Sequence, residues 1–207
     1  MARYRGPQNR LARREGTDLG LQTIGTSAHS ELLKRLKISP GQHGHKGGRR
    51  KSSDYALQLR EKQKVKRIYG LLEKQFARYF NKATRNVGNT GEELLRILET
   101  RLDNVIYKLN FAPTRAFARQ IVTHGHVIVD GKKVNIPSFS VKPGQVITIK
   151  PKILETPILK KLMEAKDVII PSWLEKKGPA GKVVRLPEKN DIKENISVQL
   201  IIEFYSR

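Results

Sequence analysis

Lysine and arginine outnumber aspartate and glutamate by 41 to 19 in this chain of 207 residues, a formal net charge of +22. A domain with so much like charge repels itself, and a polyanionic partner would neutralise it. The charge is concentrated at the N-terminal end, because residues 1–51 hold 12 basic and 3 acidic side chains and residues 52–90 hold 9 and 3. Nucleic acid is therefore the first partner to consider, with extended backbone contacts in this part of the chain.

The composition excludes several classes of protein. The absence of cysteine rules out thiolate zinc sites, iron–sulfur clusters and disulfides, so that only histidine and carboxylates could hold a metal. A chain that is 38% hydrophobic and 29% charged fits two small domains better than one large core. No apolar run approaches the roughly 20 residues of a membrane-spanning helix, and the start MARYRGPQNR has no apolar signal core. We expect a cytoplasmic protein, with an organelle stroma as the alternative and no membrane partner.

The N-terminal part divides into an irregular stretch and a helical one. Glycine and proline interrupt residues 1–51 so often that only short helices fit, one of them near residues 31–37. Ser52, Ser53 and Asp54 are helix caps before a long periodic stretch. One arc of that stretch is apolar and is expected to pack: Leu57, Val65, Ile68 and Leu72. The adjoining stripe is cationic and is expected to meet phosphates: Arg60, Lys64 and Arg67.

Residues 91–150 indicate two helices followed by a small antiparallel sheet. Thr90 and Glu93 form a capping-box pattern, after which seven apolar residues fall on one helical arc and predict a single helix: Leu94, Leu95, Leu98, Leu102, Val105, Ile106 and Leu109. A second helix runs from Pro113 and Thr114 to Gly125. Its apolar side comprises Phe117, Ala118, Ile121 and Val122, and its opposite side, expected to be exposed, comprises Arg115, Arg119 and Thr123.

The pattern changes to alternation after Gly125. Asp130-Gly131 between the strands at 127–129 and 132–136 predicts a hairpin, and residues 146–149 predict another strand. The tail predicts a helix near 158–166, a Pro/Gly-rich stretch at 173–187 and a strand at 198–205. The fold class is α+β: a helical N-terminal domain with an irregular basic extension, plus a small antiparallel-sheet domain with two packed helices. The expected divisions are 1–51, 52–90 completed by about 156–207, and 91–155.

The chemistry of the polar residues favours binding over catalysis. Arg115 and Arg119, one turn apart, can fork onto two successive phosphates or stack on a base, beside Lys132 and Lys133 of the hairpin. Arg101 and Asp103 are either part of this surface or a local ion pair. No Ser/His/Asp, paired-carboxylate or zinc-deaminase pattern is present, so we expect no enzymatic activity, no catalytic residues and no cofactor.

Two further motifs are weak signals for ligand sites. The His-x-His pairs at 43/45 and 124/126 raise a metal hypothesis, but residues two apart face away from each other on a helix and no nearby acid completes a tetrahedral site, so no metal is expected. The glycine-rich stretch 41–48 does not match a nucleotide-binding loop. Its glycines allow the backbone to approach phosphates, beside Lys46, Arg49, Arg50 and Lys51.

Residues 101–138, RLDNVIYKLNFAPTRAFARQIVTHGHVIVDGKKVNIPS, closely resemble the RNA-binding module of the family of small-subunit ribosomal protein four, bacterial type. The resemblance extends over nearly the whole chain through RYRGP (3–7), RREGTDL (13–19), PGQHG (40–44), SDYALQLREKQKVKRIYG (53–70), GNTGE (88–92), PSWLE and VQLIIEFYSR. Some members of that family carry a cysteine-rich metal knuckle in the first fifty residues. This chain lacks it, so its N-terminal fold must be held in another way.

The resemblance implies a structural constituent of the small ribosomal subunit that binds the subunit's RNA first and nucleates assembly. It also implies contact with small-subunit ribosomal protein five, an influence on translational accuracy, and a place beside messenger RNA in passing, which residues 46–51 are expected to face. The RNA-binding residues expected on this basis are Tyr4, Arg5, Arg13, Arg14, Lys46, Arg49, Arg50, Lys51, Arg60, Lys64, Arg67, Arg115, Arg119, Gln120, His124 and Lys132.

Two alternatives from other classes stay open on the sequence. The first is an RNA-modifying enzyme with an accessory module, although the flanks of residues 91–150 show no catalytic pattern. The second is an architectural protein that compacts DNA. A DNA-compacting protein would not discriminate between RNA and duplex DNA, so competition binding separates it from the ribosomal interpretation.

Overall fold

The structure is a computed structural model that describes residues 3–44, 53–86, 88–164, 169–192 and 194–206. The chain forms two compact units, Met1–Gly91 with Asn195–Arg207, and Glu92–Glu194. The expected N-terminal domain included everything from about residue 156 onward, whereas the structure places residues 156–194 with the module. The first unit is therefore made from two separated stretches of chain. Helices dominate it and an antiparallel sheet lies in the second, which confirms the α+β class.

The described part of the first unit is helical. Its helices are α1 Gln8–Glu15, α2 Ser27–Arg35, α3 Asp54–Ile68, α4 Glu73–Arg85 and, from the end of the chain, α10 Val198–Tyr205. The hydroxyl of Ser53 accepts a hydrogen bond from the Ala56 amide (3.3 Å) and caps α3, as predicted. The helix predicted near 31–37 is α2, and α1 lies in sequence expected to be irregular.

The apolar arc predicted along α3 is correct in its middle and wrong at its ends. Val65 and Ile68 are buried, but Leu57 is 46% exposed near the start of the helix. Leu72 is 39% exposed because it lies beyond the end of α3, as the N-cap of α4. The core of this unit is completed by Leu32, Phe76, Phe80 and Ile201.

The strand predicted at 198–205 is a helix, α10, which packs along α3. The side chains of this segment are rich in β-branched and aromatic groups, but the tertiary contacts favour the helix. Tyr205 stacks on Phe80 with ring centroids 4.4 Å apart and donates a hydrogen bond to Glu73 (3.0 Å). The Lys62 ammonium lies 4.1 Å from the centroid of the Phe204 ring. These contacts join the two separated stretches of the first unit.

The second unit packs helices on a five-stranded sheet. Its helices are α5 Thr90–Glu99, which begins at the end of the first unit, α6 Leu102–Lys108, α7 Arg115–Thr123, α8 Pro151–Leu154 and α9 Pro157–Glu164. Its strands are β1 Val127–Val129, β2 Lys132–Val134, β3 Val146–Ile149, β4 Leu174–Lys177 and β5 Ala180–Val183. The strand order is β2-β1-β3-β5-β4 and every pairing is antiparallel.

The hairpin and the third strand are confirmed. Asp130 and Gly131 both have positive φ (48° and 78°), as a two-residue hairpin turn with the twist of its strands requires. The strands β4 and β5 fall within the stretch 173–187, for which the sequence predicted no strand. In β5 a Cβ at Gly181 would collide with Leu109, so the glycine that looks like a loop signal is a close-packing position.

The single helix predicted from Thr90 to Leu109 is two helices. At the break the Thr100 carbonyl accepts a hydrogen bond from the Val141 amide, and the Leu102 amide donates to the Phe139 carbonyl (both 2.9 Å). These backbone hydrogen bonds join the chain to the segment before β3 and replace hydrogen bonds within a continuous helix. The apolar periodicity does not change at the break, so the sequence pattern gives no sign of it. The seven apolar residues of the predicted arc are nevertheless all buried.

Strand β3 is followed along the chain by α8 and α9. Helix α9 agrees with the helix predicted near 158–166 as far as the described residues extend. Trp173 is 1% exposed and belongs to the core formed by α6, α7 and the sheet. No helix among the described residues has the length and apolar character needed to cross a membrane.

Candidate nucleic-acid interface

Helix α7 and the hairpin β1–β2 form the framework of the predicted site. The hydroxyl of Thr114 accepts a hydrogen bond from the Phe117 amide (3.2 Å) and starts α7 where the sequence predicted. Gly125 ends it with a positive φ of 71°. Ala118, Ile121 and Val122 are buried against the core. The short connection from Gly125 to β1 therefore holds the C-terminal end of α7 beside the hairpin.

Arg115 and Arg119 were predicted to be exposed, and this prediction is wrong. The two residues are buried, with exposed fractions of only 9% and 7%. Arg115 donates from Nε to the Asn104 amide oxygen (2.8 Å), pairs with Glu194, and lies 4.5 Å from the centroid of the Tyr107 ring. Arg119 pairs with Asp103 at 3.3 Å. The two arginines on the side of α7 opposite its apolar face thus meet carboxylates of the same unit, whereas Thr123 on that side is exposed as predicted.

Arg101 and Asp103 form an ion pair, and it is buried. The Arg101 guanidinium donates two hydrogen bonds to the Asp103 carboxylate, at 3.0 Å and 2.5 Å, and Arg101 is 2% exposed. The same carboxylate accepts a hydrogen bond from the backbone N–H of Asn104 (3.0 Å) and pairs with Arg119. Such two-point geometry is the strong form of this interaction. Asp103 therefore connects the start of α6 to α7.

Glu194 is a second acidic centre of this cluster. It pairs with Arg115 and with the Lys108 ammonium (3.0 Å), which also lies 3.9 Å from Glu99. Burial by itself would raise the pKa of Glu194, but the charges and hydrogen bonds of Arg115 and Lys108 lower it to about 2. We refer to Glu99, Arg101, Asp103, Asn104, Lys108, Arg115, Arg119 and Glu194 as the ionic cluster.

Exposed polar side chains lie at the C-terminal end of α7 and on the hairpin β1–β2. Gln120, Thr123, His124, Lys132 and Lys133 are all exposed, and we refer to them as the module face. The side chain of Lys133 passes over Gly125 so closely that a Cβ at position 125 would collide with the Cε of Lys133. Gly125 therefore serves both the left-handed turn and the close approach of a cation to the helix end.

No acidic side chain among the described residues of the second unit pairs with the lysines of the module face. The ion pairs formed among the described residues of the second unit involve Arg96, Arg101, Lys108, Arg115, Arg119, Lys177 and Arg185, but neither Lys132 nor Lys133. The arginines predicted to bind RNA have internal partners, whereas these lysines remain available for an external anion. Gln120, His124 and Lys132 are exposed, and their contact with RNA stays a prediction.

The histidines do not form a metal site in the described residues, where no group of three His, Cys, Asp or Glu side chains is placed to hold an ion. The centroids of the His124 and His126 rings are 6.2 Å apart. Burial lowers the pKa of His126, and His124 and Lys150 lower it further by repulsion. A neutral imidazole beside cations suits a hydrogen-bonding role. His43 is exposed, and His45 lies outside the described residues.

The cationic stripe predicted on α3 is also engaged internally. Arg60 (3.4 Å) and Arg67 both pair with Glu15 of α1. Burial raises the pKa of Glu15, although both arginines oppose the shift, and burial lowers the pKa of Arg67. Lys64 pairs with Glu61 (3.2 Å) and donates to the Asn195 carbonyl. These cations link α1, α3 and the start of the C-terminal stretch within the first unit.

The remaining predicted residues of the first unit differ in exposure. Tyr4, Arg5 and Arg14 are exposed. Arg13 donates to the carbonyl oxygens of Ile38 and Ser39 (3.0 and 3.1 Å), so it holds the chain beyond α2. The predicted loop cations lie outside the described residues: Lys46, Arg49, Arg50 and Lys51.

Sequence reasoning missed two groups of residues. The first group is Asn104 and Glu194, which hold Arg115, and the separation of 79 positions between Arg115 and Glu194 leaves no local signal for that pair. The second group is a row of exposed cations on α4: Lys74, Arg78, Lys82 and Arg85. Their spacing of four, four and three residues is a helical signal that the sequence does contain.

Comparison with known proteins identifies the family of this chain. Residues 3–99 match the family model described as the ribosomal protein S4/S9 N-terminal domain, and residues 100–147 match the S4 domain. Small ribosomal subunit protein uS4 of Thermodesulfovibrio yellowstonii is 51% identical over 212 aligned positions, and that of Dictyoglomus turgidum 50% over 211; each match covers all of both chains. The corresponding protein of Natranaerobius thermophilus is 49% identical over 210 aligned positions, again over both full lengths.

These relatives are structural and non-enzymatic, which removes the RNA-modifying alternative. The chain belongs to the uS4 family of small ribosomal subunit proteins.

Proposed function

We propose that this chain is a structural constituent of the small ribosomal subunit and binds the subunit's RNA through the module face. The observation that carries the proposal is the contrast within the second unit. The arginines of α7 are held by internal carboxylates, while Gln120, His124 and the two hairpin lysines are exposed with no acidic partner among the described residues. The bacterial origin of the relatives supports a place on ribosomes in the cytoplasm.

The geometry suits recognition of RNA by shape. Lysines contact phosphates as point charges, and the amide and imidazole groups of Gln120 and His124 can hydrogen-bond to sugars and base edges. The ionic cluster holds α7 in one orientation, because each of its charges has partners in fixed positions. The expected role of Arg115 and Arg119 thereby changes from direct contact to positioning of the module face.

Competition binding tests this proposal. The full chain is bound to a labelled transcript of small-subunit ribosomal RNA and challenged with unlabelled transcript, an unrelated RNA of equal length, or duplex DNA. We expect displacement by the ribosomal transcript at far lower concentration than by either competitor. Equal displacement by duplex DNA would overturn the proposal and support the architectural alternative.

We further propose that the chain binds early, nucleates assembly, and contacts small-subunit ribosomal protein five. The family resemblance and the excess of cations in the first 90 residues support this proposal. Reconstitution with ordered addition of components tests it: omission of this chain should block later proteins. Late addition without loss of yield would contradict a nucleating role, and failure to co-purify with protein five from partial assemblies would contradict the contact.

We also propose that Lys46, Arg49, Arg50 and Lys51 face passing messenger RNA and influence accuracy. Four cations within six residues, among glycines, suit sequence-independent contact with a single strand. Replacing all four by Ala should leave incorporation into subunits intact and impair passage through structured messengers. A collapse of incorporation would instead make the loop an anchor on ribosomal RNA.

A further inference from the structure

Helix α4 presents one continuous cationic face. Lys74, Arg78, Lys82 and Arg85 are exposed and fall within an arc of about 80° at 100° per residue, over a rise of about 16 Å. The opposite side of the helix is buried through Phe76, Phe80 and Ala83. The packing of these apolar residues fixes which side of α4 faces solvent. We refer to the four cations as the α4 stripe.

The first unit offers the α4 stripe no internal counter-charge among its described residues. Glu73 is the only acid of α4, and it is held by Lys62 (2.7 Å), Lys66 (2.9 Å) and Tyr205. Glu15 holds two arginines of α3, and Glu61 holds Lys64. None of the ion pairs between described residues of this unit includes a member of the stripe.

This arrangement costs the isolated protein stability. Like charges four residues apart on a helix repel each other, which applies to Lys74 with Arg78 and to Arg78 with Lys82. The elongated row of positive charge matches the regular negative charge of a nucleic-acid backbone. Binding such a polyanion would relieve the repulsion.

The composition of the face distinguishes between kinds of partner. Stable protein interfaces have an apolar or aromatic core with few lysines. The exposed side of α4 offers Asn81 and Thr84 between its cations, and no large apolar side chain. An acidic protein segment is thus a poorer match than a phosphate backbone.

We infer that the α4 stripe is a binding site for the RNA phosphate backbone, separate from the module face and independent of base sequence. This inference rests on the proposed function and specifies a second contact for the same RNA. Each cation that neutralises one phosphate adds about 0.7–0.9 to the dependence of log affinity on log salt concentration.

The test measures the salt dependence of binding to a transcript of small-subunit ribosomal RNA for the full chain and two variants. The first variant, K74Q/R78Q/K82Q, keeps good helix formers in α4. The matched control, K160Q/K161Q/K182Q, removes three exposed charges from α9 and β5 of the second unit. We expect the salt slope to fall by about 2 for the first variant and by less than about 0.5 for the control.

A direct measurement accompanies the variants and does not depend on their folding. Acetylation of the unaltered chain, read by mass spectrometry, should show Lys74 and Lys82 protected in the RNA complex while Lys160 and Lys161 react as in the free chain. Equal slopes for the two variants, or unprotected Lys74 and Lys82, would overturn the inference. Failure of the unaltered chain to bind the transcript would instead overturn the proposed function.

Discussion

Helices α7 and α4 both carry cations one turn apart, but the environments of these cations are opposite. Arg115 and Arg119 of α7 are buried and paired with Glu194 and Asp103. Lys74, Arg78 and Lys82 of α4 are exposed and have no acidic partner among the described residues. The spacing on the helix is the same, so spacing alone does not identify a phosphate contact. The difference lies in the carboxylates that the fold brings to each helix.

The comparison assigns two functions to positive charge in one basic protein. Guanidinium groups with several fixed donors suit a buried cluster, because carboxylates and amide oxygens can satisfy them from several directions. Lysines at exposed positions keep a hydrated charge that an incoming phosphate can neutralise. Four predictions test whether the paired and unpaired groups behave as differently as this interpretation requires.

The largest effect is expected from Asp103→Ala. This substitution leaves Arg101 and Arg119 buried without their carboxylate, and the free energy of unfolding should fall by about 3–5 kcal/mol. Urea unfolding followed by circular dichroism measures it. Glu175→Ala is the control, because the ion-pair partner of Glu175 among the described residues is the 83% exposed Lys177, and it should change stability by less than about 0.5 kcal/mol. Equal effects of the two substitutions would refute a structural role for the ionic cluster.

Acid should weaken the ionic cluster through Glu194. Its folded pKa of about 2 lies below the ordinary value of 4.5, so its contribution to stability is present above pH 4.5 and is lost as pH falls towards 2. The side chain is 19% exposed, and the loss should reach about 3 kcal/mol. Unfolding measured from about pH 6 down to about pH 2 should show a shallower acid decline for Glu194→Gln than for the unaltered chain. An unchanged decline would place the acid sensitivity in other carboxylates.

Arg115→Ala should reduce stability by about 2 kcal/mol, since it removes charge-assisted hydrogen bonds while Lys108 still neutralises Glu194. RNA affinity, measured at a temperature where the variant is fully folded, should change little. Native mobility-shift titration and thermal unfolding of the same preparation separate the two quantities. Weakened binding with unchanged unfolding would return Arg115 to the RNA interface.

The smallest effect on folding is expected from K132A/K133A on the module face. Both lysines are exposed and unpaired among the described residues, so the free energy of unfolding should stay within about 0.5 kcal/mol of the parent value. The salt slope of RNA binding should fall by about 0.7–0.9 for each lysine that contacts a phosphate. An unchanged slope would exclude the hairpin from the interface.

The sequence predicted those elements whose signals are local. The cap at Thr114, the turn at Asp130-Gly131 and the buried arc from Leu94 to Leu109 each depend on neighbours within a few residues. The break at Thr100 escaped prediction because its cause is a hydrogen bond from Val141. Helix α10 escaped because Phe80 and Glu73, far away in sequence, select the helical form of a segment with β propensity.

The candidate site shows the same division. Gln120, His124 and Lys132 were predicted from the resemblance and lie exposed on the module face. The exposure of the α7 arginines was predicted wrongly because periodicity identifies the side opposite an apolar face without showing what covers it. Asp103 covers Arg119, and Glu194, close to the end of the second unit, covers Arg115.

The discontinuous first unit has a consequence for the order in which the newly made chain folds. Its last helix, α10, supplies Phe204 and Tyr205 to contacts with α3 and α4, yet it is synthesised after the whole of the second unit. The second unit is continuous in sequence and is finished earlier, at Glu194. Domains fold as units during synthesis at about 5–20 residues per second. The unit that begins the chain must therefore wait for the unit that follows it, and a premature stop near residue 195 would leave the module complete and the helical unit unfinished.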